Sequence, residues 1–393
     1  MKYRVFFIVQ HLLGIGHVMR SKRITKALLD AGFEVDIILG GTETPATFPE
    51  GAKCFQLPPY KAGPGGFSNL VDENNIAVDE NYKQQRLEQL LALLKLRAPD
   101  IIFTEAFPFA RHQLDFEFIP LLKAAHQMTP KPYIACSVRD LLHKKVAPGR
   151  DEKTVRLLRK YYDFVFLHAD PDFAALGGTF RFEDEISDLT HYTGLVTPEA
   201  DETRTGVAYD VVVSAGGGAV GKPLFEAALA AMPLTRYADD AWGFITGPNL
   251  PEKTVQKLLD SARPNLVVER FRADFSALLK DTKVLVSQSG YNTSADIMRA
   301  GCRSVLVPYV REGLTEQTDR ATLFEQRGLA VQLAQADMTA KTLAAAIDKA
   351  GEMPPPLPDR IPNLNGAFET ARILKDFMAS THEPDRLLTR SPM

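Results

Sequence analysis

The sequence predicts two α/β domains in tandem, each a doubly wound parallel sheet with helices on both faces. Three observations carry this. Short apolar runs alternate with amphipathic stretches from one end of the chain to the other. The runs are nearly continuous rather than alternating, as in strands covered on both faces. The rhythm breaks at the polar, acidic segment Thr197–Thr205 (T-P-E-A-D-E-T-R-T) and then restarts, which marks a linker between two similar units.

In the first unit the apolar runs place strands at Arg4–Gln10, Glu34–Leu39, Asp100–Thr104, Tyr133–Cys136 and Asp163–Leu167. Helical patterns fall between them at Val18–Asp30, Asn81–Arg97, Gln113–His126 and Asp151–Tyr161. Lys2 and Arg4 precede the apolar Val5–Val9 as in an export signal, but Gln10 and His11 interrupt the run, so it reads as a buried strand. Tyr60–Glu80 reads as a long Gly-containing loop, either a binding loop or a simple excursion. The second unit has strands at Asp210–Ser214, Gly243–Thr246, Asn265–Glu269, Lys283–Ser287, Arg303–Pro308 and Ala330–Leu333. Its helices are Pro223–Ala231, Glu252–Ser261, Asp274–Leu279, Thr293–Ala300, Thr315–Gln326 and Leu343–Lys349. The expected boundaries are 1–198, 206–362 and a tail, 363–393. The tail's helix, Gly366–Met378, follows a Pro-rich crossing and could pack back on the first unit.

Composition narrows the function. The 393 residues are 45% hydrophobic and 24% charged, as in a soluble globular chain. A net charge of -3 lacks the basic excess of a dedicated nucleic-acid binder. Cys54, Cys136 and Cys302 are far apart, which argues against a disulfide framework or zinc site and for a cytoplasmic setting. No apolar run is long enough to span a bilayer. From Arg139 to Lys160, eight Lys/Arg face three Asp/Glu, with Leu141, Leu142, Val155, Leu157 and Leu158 interleaved. A solvated helix face explains this, and so would peripheral contact with an anionic membrane face or a phosphorylated lipid.

Three strand–glycine–helix junctions carry candidate chemistry. Gly216-Gly217-Gly218-Ala219-Val220-Gly221-Lys222 follows the strand V-V-V-S that ends at Ser214. Glycines admit a ligand close to the backbone, and the free N–H groups of a helix start attract anions. The spacing fits the dinucleotide fingerprint and nearly fits the ATP-binding loop. However, position 223 is proline rather than Ser/Thr, and the next strand lacks the acidic ribose ligand. The second junction, Gly14-Ile15-Gly16-His17, sets His17 at a helix start, where a neutral imidazole could act as a general base or merely cap the helix. The third runs Ser289-Gly290-Tyr291-Asn292-Thr293 to Asp296, within reach of ribose hydroxyls, and then to Glu316 and Gln317 at another helix start. Glu105 ends the Ile101–Thr104 strand, as a second candidate base, a partner for His17 or a cap. Asp170-Pro171-Asp172 reads as D-x-D, a spacing that can hold a divalent metal but recurs easily by chance.

These pieces together resemble family 28-type nucleotide-sugar glycosyltransferases, the group that includes the lipid II N-acetylglucosaminyl transferase. The resemblance rests on Gly14–Arg20, Gly216–Gly218 and the S-G-Y-N-T…D…A-G…V-P…E-Q…R-A run within residues 283–326. It implies GT-B architecture: two Rossmann-like domains across a cleft, acceptor on the first and nucleotide sugar on the second. It further implies that His17 is a catalytic residue, with Glu105 the second candidate from its place at the strand end, and that Gly16 belongs to the donor site. On the donor side, Gly216, Gly217, Gly218, Ser289 and Gly290 would form the turns near the diphosphate, and Ser214, Asn292 and Thr293 would also bind the donor. Phe271 would pack on the base, Asp296 would hold the ribose in place of the usual Glu, and Glu316 and Gln317 would read the sugar. The expected activity is inverting, metal-independent transfer from a UDP-linked donor, with no cofactor, to an acceptor hydroxyl on a lipid-linked molecule or a saccharide. A nucleotide-sugar hydrolase or 2-epimerase, an NAD(P)-dependent oxidoreductase and a catalytically silent nucleotide-sugar sensor are the alternatives.

Overall fold

The structure is a computed structural model describing residues 2–12, 16–43, 47–63, 66–142, 148–199, 208–217, 220–261, 263–310, 315–356 and 360–381. Its first half runs β1 (Arg4–Val9), α1 (Gly16–Asp30), β2 (Glu34–Leu39), β3 (Lys53–Gln56), β4 (Tyr60–Gly63), β5 (Gly66–Asp72), α2 (Glu80–Arg97), β6 (Ile101–Glu105), α3 (Asp115–His126), β7 (Tyr133–Arg139), α4 (Arg150–Tyr161), β8 (Phe164–His168) and β9 (Thr190–Tyr192). The second half runs β10 (Val211–Ser214), α5 (Lys222–Ala231), β11 (Trp242–Ile245), α6 (Glu252–Asp260), β12 (Leu266–Glu269), α7 (Phe275–Asp281), β13 (Val284–Ser287), α8 (Tyr291–Ala300), β14 (Ser304–Leu306), α9 (Glu316–Gln326), β15 (Val331–Gln332), α10 (Ala340–Glu352) and α11 (Gly366–Ser380).

Two parallel sheets result, with strand orders β3-β2-β1-β6-β7-β8-β9 and β12-β11-β10-β13-β14-β15. In each, the order reverses beside the first strand, between β1 and β6 and between β10 and β13. Ligands of such sheets bind beyond the strand carboxyl ends at that reversal.

The strands are continuously apolar because each face has its own core. Val5, Phe7 and Val9 of β1 pack with Val18, Ile24 and Leu28 of α1 and Leu374 and Met378 of α11. Phe6 and Ile8 pack on the other side with Leu90 and Leu94 of α2 and Phe118 of α3. Likewise, Val211 and Val213 of β10 meet α5 and α10, whereas Val212 faces α7, α8 and α9.

The final helix therefore belongs to the core of the first sheet, although the chain reaches it after completing the second. The return crosses residues 193–197: Leu195 N–H donates to Asn363 O at 2.7 Å and Gly366 N–H to Leu195 O at 3.0 Å. Only glycines fit this crossing. A Cβ on Gly366 would stand 2.2 Å from Gly194 O, and one on Gly194 (φ 83°) 2.6 Å from Asn363 O.

Three departures from the sequence reading concern local structure. The segment expected as a loop at 60–80 contains the antiparallel hairpin β4–β5, seated on the fully buried Tyr60, and ends at the first residue of α2, Glu80. The edge strands β3 and β9 were not foreseen, being short and partly polar. In the basic stretch 139–160, Leu141, Val155, Leu157 and Leu158 are buried in the cores rather than offered to a membrane; among the described residues there, Arg156, Arg159 and Lys160 are the exposed basic side chains. Among the described residues no helix is long and apolar enough to cross a membrane.

Candidate active site

The two reversal points face one another across a cleft of about 1530 Å³. The first domain contributes the start of α1, including Gly16, His17 and Arg20. The second contributes Ser214, Gly216 and Gly217 after β10 and Gly290, Asn292 and Thr293 after β13. The amino end of α8 and the glycine turn after β10 thus open toward the cleft, an arrangement that favours anions. Phe271, 43% exposed, offers an apolar face on the same wall. Gly14 and Gly218 lie outside the described residues.

His17 keeps a quarter of its side chain open, and its Nδ1 lies 2.7 Å from Glu105 Oε1. Glu105 is fully buried. Burial alone would raise its carboxyl, but Arg20 and the hydrogen bond from His17 outweigh this and hold it at about 2. An ionised carboxylate can only accept, so His17 Nδ1 carries the proton and Nε2 is left as the acceptor. Burial and the Arg111 charge hold the imidazole down at about 3, so the ring is neutral at physiological pH. Glu105 also pairs with Arg20 and accepts from Ser137 Oγ at 3.1 Å. Ser137 in turn contacts His168 Nε2 at 2.9 Å, and His168 Nδ1 contacts Thr193 Oγ1 at 2.9 Å. Of the two candidate bases, His17 alone lines the cleft, and Glu105 is sealed behind it.

Asp296 sits in the cleft wall, but its Oδ1 accepts from Arg23 at 2.8 Å and from Ser276 Oγ at 3.1 Å. Burial pushes this carboxyl up against the pull of Arg23. The contact expected for a ribose is thus filled by a guanidinium from the opposite domain. Asn292 Nδ2 likewise donates across the cleft to Gly16 O at 2.9 Å.

Two expected donor ligands lie elsewhere. Ser289 is fully buried and its Oγ donates to Gln317 O at 2.7 Å, so it supports the turn from behind. Glu316 is buried at the first turn of α9, 3.6 Å from Arg139. Gln317 does reach the cleft, while its Oε1 accepts from Tyr309 N–H at 3.0 Å. The D-x-D pair is a chain-crossing device: Asp170 accepts from Asp172 N–H at 3.0 Å and from Asn363 N–H at 2.7 Å.

Sequence reasoning passed over the charges that join the domains. Arg320 and Asp140, both about 1% exposed, form a two-point pair at 2.7 and 2.6 Å, and Arg320 also donates to Ser289 O at 2.7 Å. The buried Tyr291 accepts from Val196 N–H at 2.8 Å, donates to His168 O at 3.1 Å and lies under Arg20, 5.3 Å from its ring centre. Arg20 and Arg23 had a sequence signal, since they follow His17 at three-residue spacing on one face of α1. Arg320–Asp140 had none.

Residues 212–370 match the family model described as the glycosyltransferase family 28 C-terminal domain. The UDP-N-acetylglucosamine–N-acetylmuramyl-(pentapeptide) pyrophosphoryl-undecaprenol N-acetylglucosamine transferase of Lactiplantibacillus plantarum is 31% identical over 134 residues, 34% of this chain and 37% of that enzyme's length. An uncharacterized glycosyltransferase of Methanosarcina mazei is 21% identical over 335 residues, 80% of this chain and 82% of the relative. Among solved structures, the calicheamicin glycosyltransferase CalG4 superposes with a TM-score of 0.61 at 16% identity, covering 98% of this chain and 99% of its own. A UDP-GlcNAc 2-epimerase of Methanocaldococcus jannaschii lies nearly as close, at 0.58 and 12% identity over 96% and 100% of the chains, so these likenesses speak to the fold alone. The second unit thus matches the glycosyltransferase family 28 C-terminal domain, and the whole chain has the GT-B fold of these glycosyltransferase structures.

Proposed function

We propose that this protein is an inverting, metal-independent glycosyltransferase that moves a sugar from a UDP-linked donor to an acceptor hydroxyl. One observation carries the reading. A neutral imidazole backed by an ionised carboxylate faces the amino end of α8 and the Ser214–Gly217 turn across one cleft. The relatives' names add a UDP-linked N-acetylglucosamine donor and a lipid-linked acceptor as the first substrates to try. No cofactor enters the scheme.

In the proposed reaction the acceptor O–H binds to His17 Nε2. Its oxygen attacks the anomeric carbon as the bond from that carbon to the diphosphate oxygen breaks. The proton passes to His17 and the electron pair leaves with the nucleoside diphosphate; a single displacement inverts the anomeric centre. Glu105 stabilises the imidazolium that forms. Helix-terminal N–H groups and cleft arginines stabilise the leaving charge in place of a divalent ion. A positioned base of this kind contributes about 10²–10⁴-fold.

The test combines binding and turnover. UDP and UDP-sugars should raise the melting temperature, since a ligand specific to the native state stabilises it. His17→Ala should retain that binding and lose about 10²–10⁴-fold in transfer. Full transfer by this variant removes the base, and loss of transfer in chelator removes metal independence. Release of free sugar or of an epimer from donor alone would point instead to a hydrolase or 2-epimerase.

A further inference from the structure

Among the described residues, Arg111 is a largely buried cation to which no role has been assigned. Arg111 lies in the loop between β6 and α3, at the carboxyl edge of the first sheet and six residues beyond Glu105. Its backbone is left-handed (φ 70°), as is that of Ala106 at the start of the loop (φ 64°). A side chain disfavours this conformation, so it persists only where the surroundings enforce it. Here Ala106 N–H donates to Ser137 O, Ala110 N–H to Ala106 O and Leu114 N–H to Arg111 O, each at 2.8 Å.

The Arg111 guanidinium has no counter-ion among the described residues, and its Nε is shut off from solvent without a hydrogen-bond partner. Burial pulls it down to about 10, although Glu105 opposes the shift. The guanidiniums around it are matched: Arg20 by Glu105, Arg320 by Asp140, and Arg139 by Glu316 at 3.6 Å. A buried charge without a partner is costly, and a bound anion would remove that cost.

We propose that Arg111 is an anion subsite for the acceptor, so that the molecule glycosylated carries a phosphate or carboxylate near its reacting hydroxyl. The hydroxyl's role rests on the transferase reading above; the anion site does not. Occupancy would also act on catalysis. Arg111 is one of the charges that hold the His17 imidazole down, against Glu105 and alongside Arg20. An anion that offsets it makes His17 a stronger base, and an acceptor lacking that anion would bind weakly and react slowly.

The experiment titrates inorganic phosphate, and separately acetate, into UDP-saturated protein, so that the diphosphate pocket is already filled. Arginine Nε–H and histidine ring signals are followed by NMR in the full chain and in Arg111→Met. Saturable binding at pH 7 should move the Arg111 and His17 signals together. Arg111→Met should weaken anion binding by at least about tenfold. It should leave UDP affinity within about twofold and raise the melting temperature, because an unmatched buried charge has gone. A structural arginine would instead lower that temperature. Tighter acetate than phosphate identifies the group as a carboxylate. Failure of both anions to bind, wild-type anion affinity in Arg111→Met, or a lowered melting temperature overturns the proposal. Should UDP not bind, the donor reading falls, and the same titration without UDP still decides the role of Arg111.

Discussion

Glu105→Gln isolates the charge cluster behind His17. The carboxylate is fully buried and bonds His17 at 2.7 Å and Ser137 at 3.1 Å, besides pairing with Arg20. It titrates at about 2 instead of the ordinary 4.5. At about 1.4 kcal/mol per pH unit, that gap corresponds to roughly 3 kcal/mol of native stability. The folded pKa is depressed, so this stability is present above pH 4.5 and is lost as pH falls toward 2. Gln keeps the shape and removes the charge, leaving Arg20 buried without its partner. Urea unfolding at pH 7 should show a loss of about 3 kcal/mol, equivalent to a melting temperature roughly 6–12 °C lower for domains of this size. The gap between variant and wild type should narrow below pH 4.5. Adding Arg20→Met should recover part of the loss, because the stranded charge is then gone. A Glu105→Gln protein as stable as wild type at pH 7 would refute an ionised, native-stabilising Glu105.

Three further outcomes are expected. Arg23→Ala frees Asp296 from its 2.8 Å partner. If Asp296 takes the ribose, calorimetry should show UDP binding about 5–30-fold tighter, the equivalent of about 1–2 kcal/mol; weaker binding would put Arg23 on the diphosphate instead. Asp140→Asn strands the guanidinium of Arg320 between the domains and should cost about 3–5 kcal/mol in urea unfolding, with a loss below about 1 kcal/mol contradicting the pair's role. His168 is fully buried, and burial together with Arg20 lowers it to about 3. The unfolded chain therefore takes up the proton first, and the stability contributed by the neutral ring, complete above pH 6.5, falls as pH drops from there toward 3. Stability measured between pH 7 and 5 should decline, and His168→Gln, which can still bond Ser137 and Thr193, should flatten that decline.

Apart from the edge strands β3 and β9, the strands of the two parallel sheets and the helices were legible because their signals are local. An apolar run such as Val5–Val9 admits little but a strand buried on both faces, and a glycine turn between strand and helix admits little but a βα junction. The same logic placed His17, Gly216, Gly217 and Gly290 at the carboxyl edges of their sheets. Hairpin β4–β5 was not legible. Its packing depends on Tyr60, whose hydroxyl donates to Glu117 at 2.5 Å while its ring lies under Arg86, 4.1 Å away, and both partners are distant in sequence.

By itself, then, the amino-acid order determined the two-domain α/β class, the junctions that form the cleft and the family resemblance, all properties of short contiguous segments. Tertiary structure alone decided which of those residues line the cleft. Ser289 and Glu316 turn into the protein, Glu105 becomes the partner of His17 rather than its rival, and Asp296 meets Arg23 from the other domain. Those outcomes depend on charges brought together from residues 20 to 320, and the energy of a buried charge depends on all of its neighbours at once, whatever their separation along the chain.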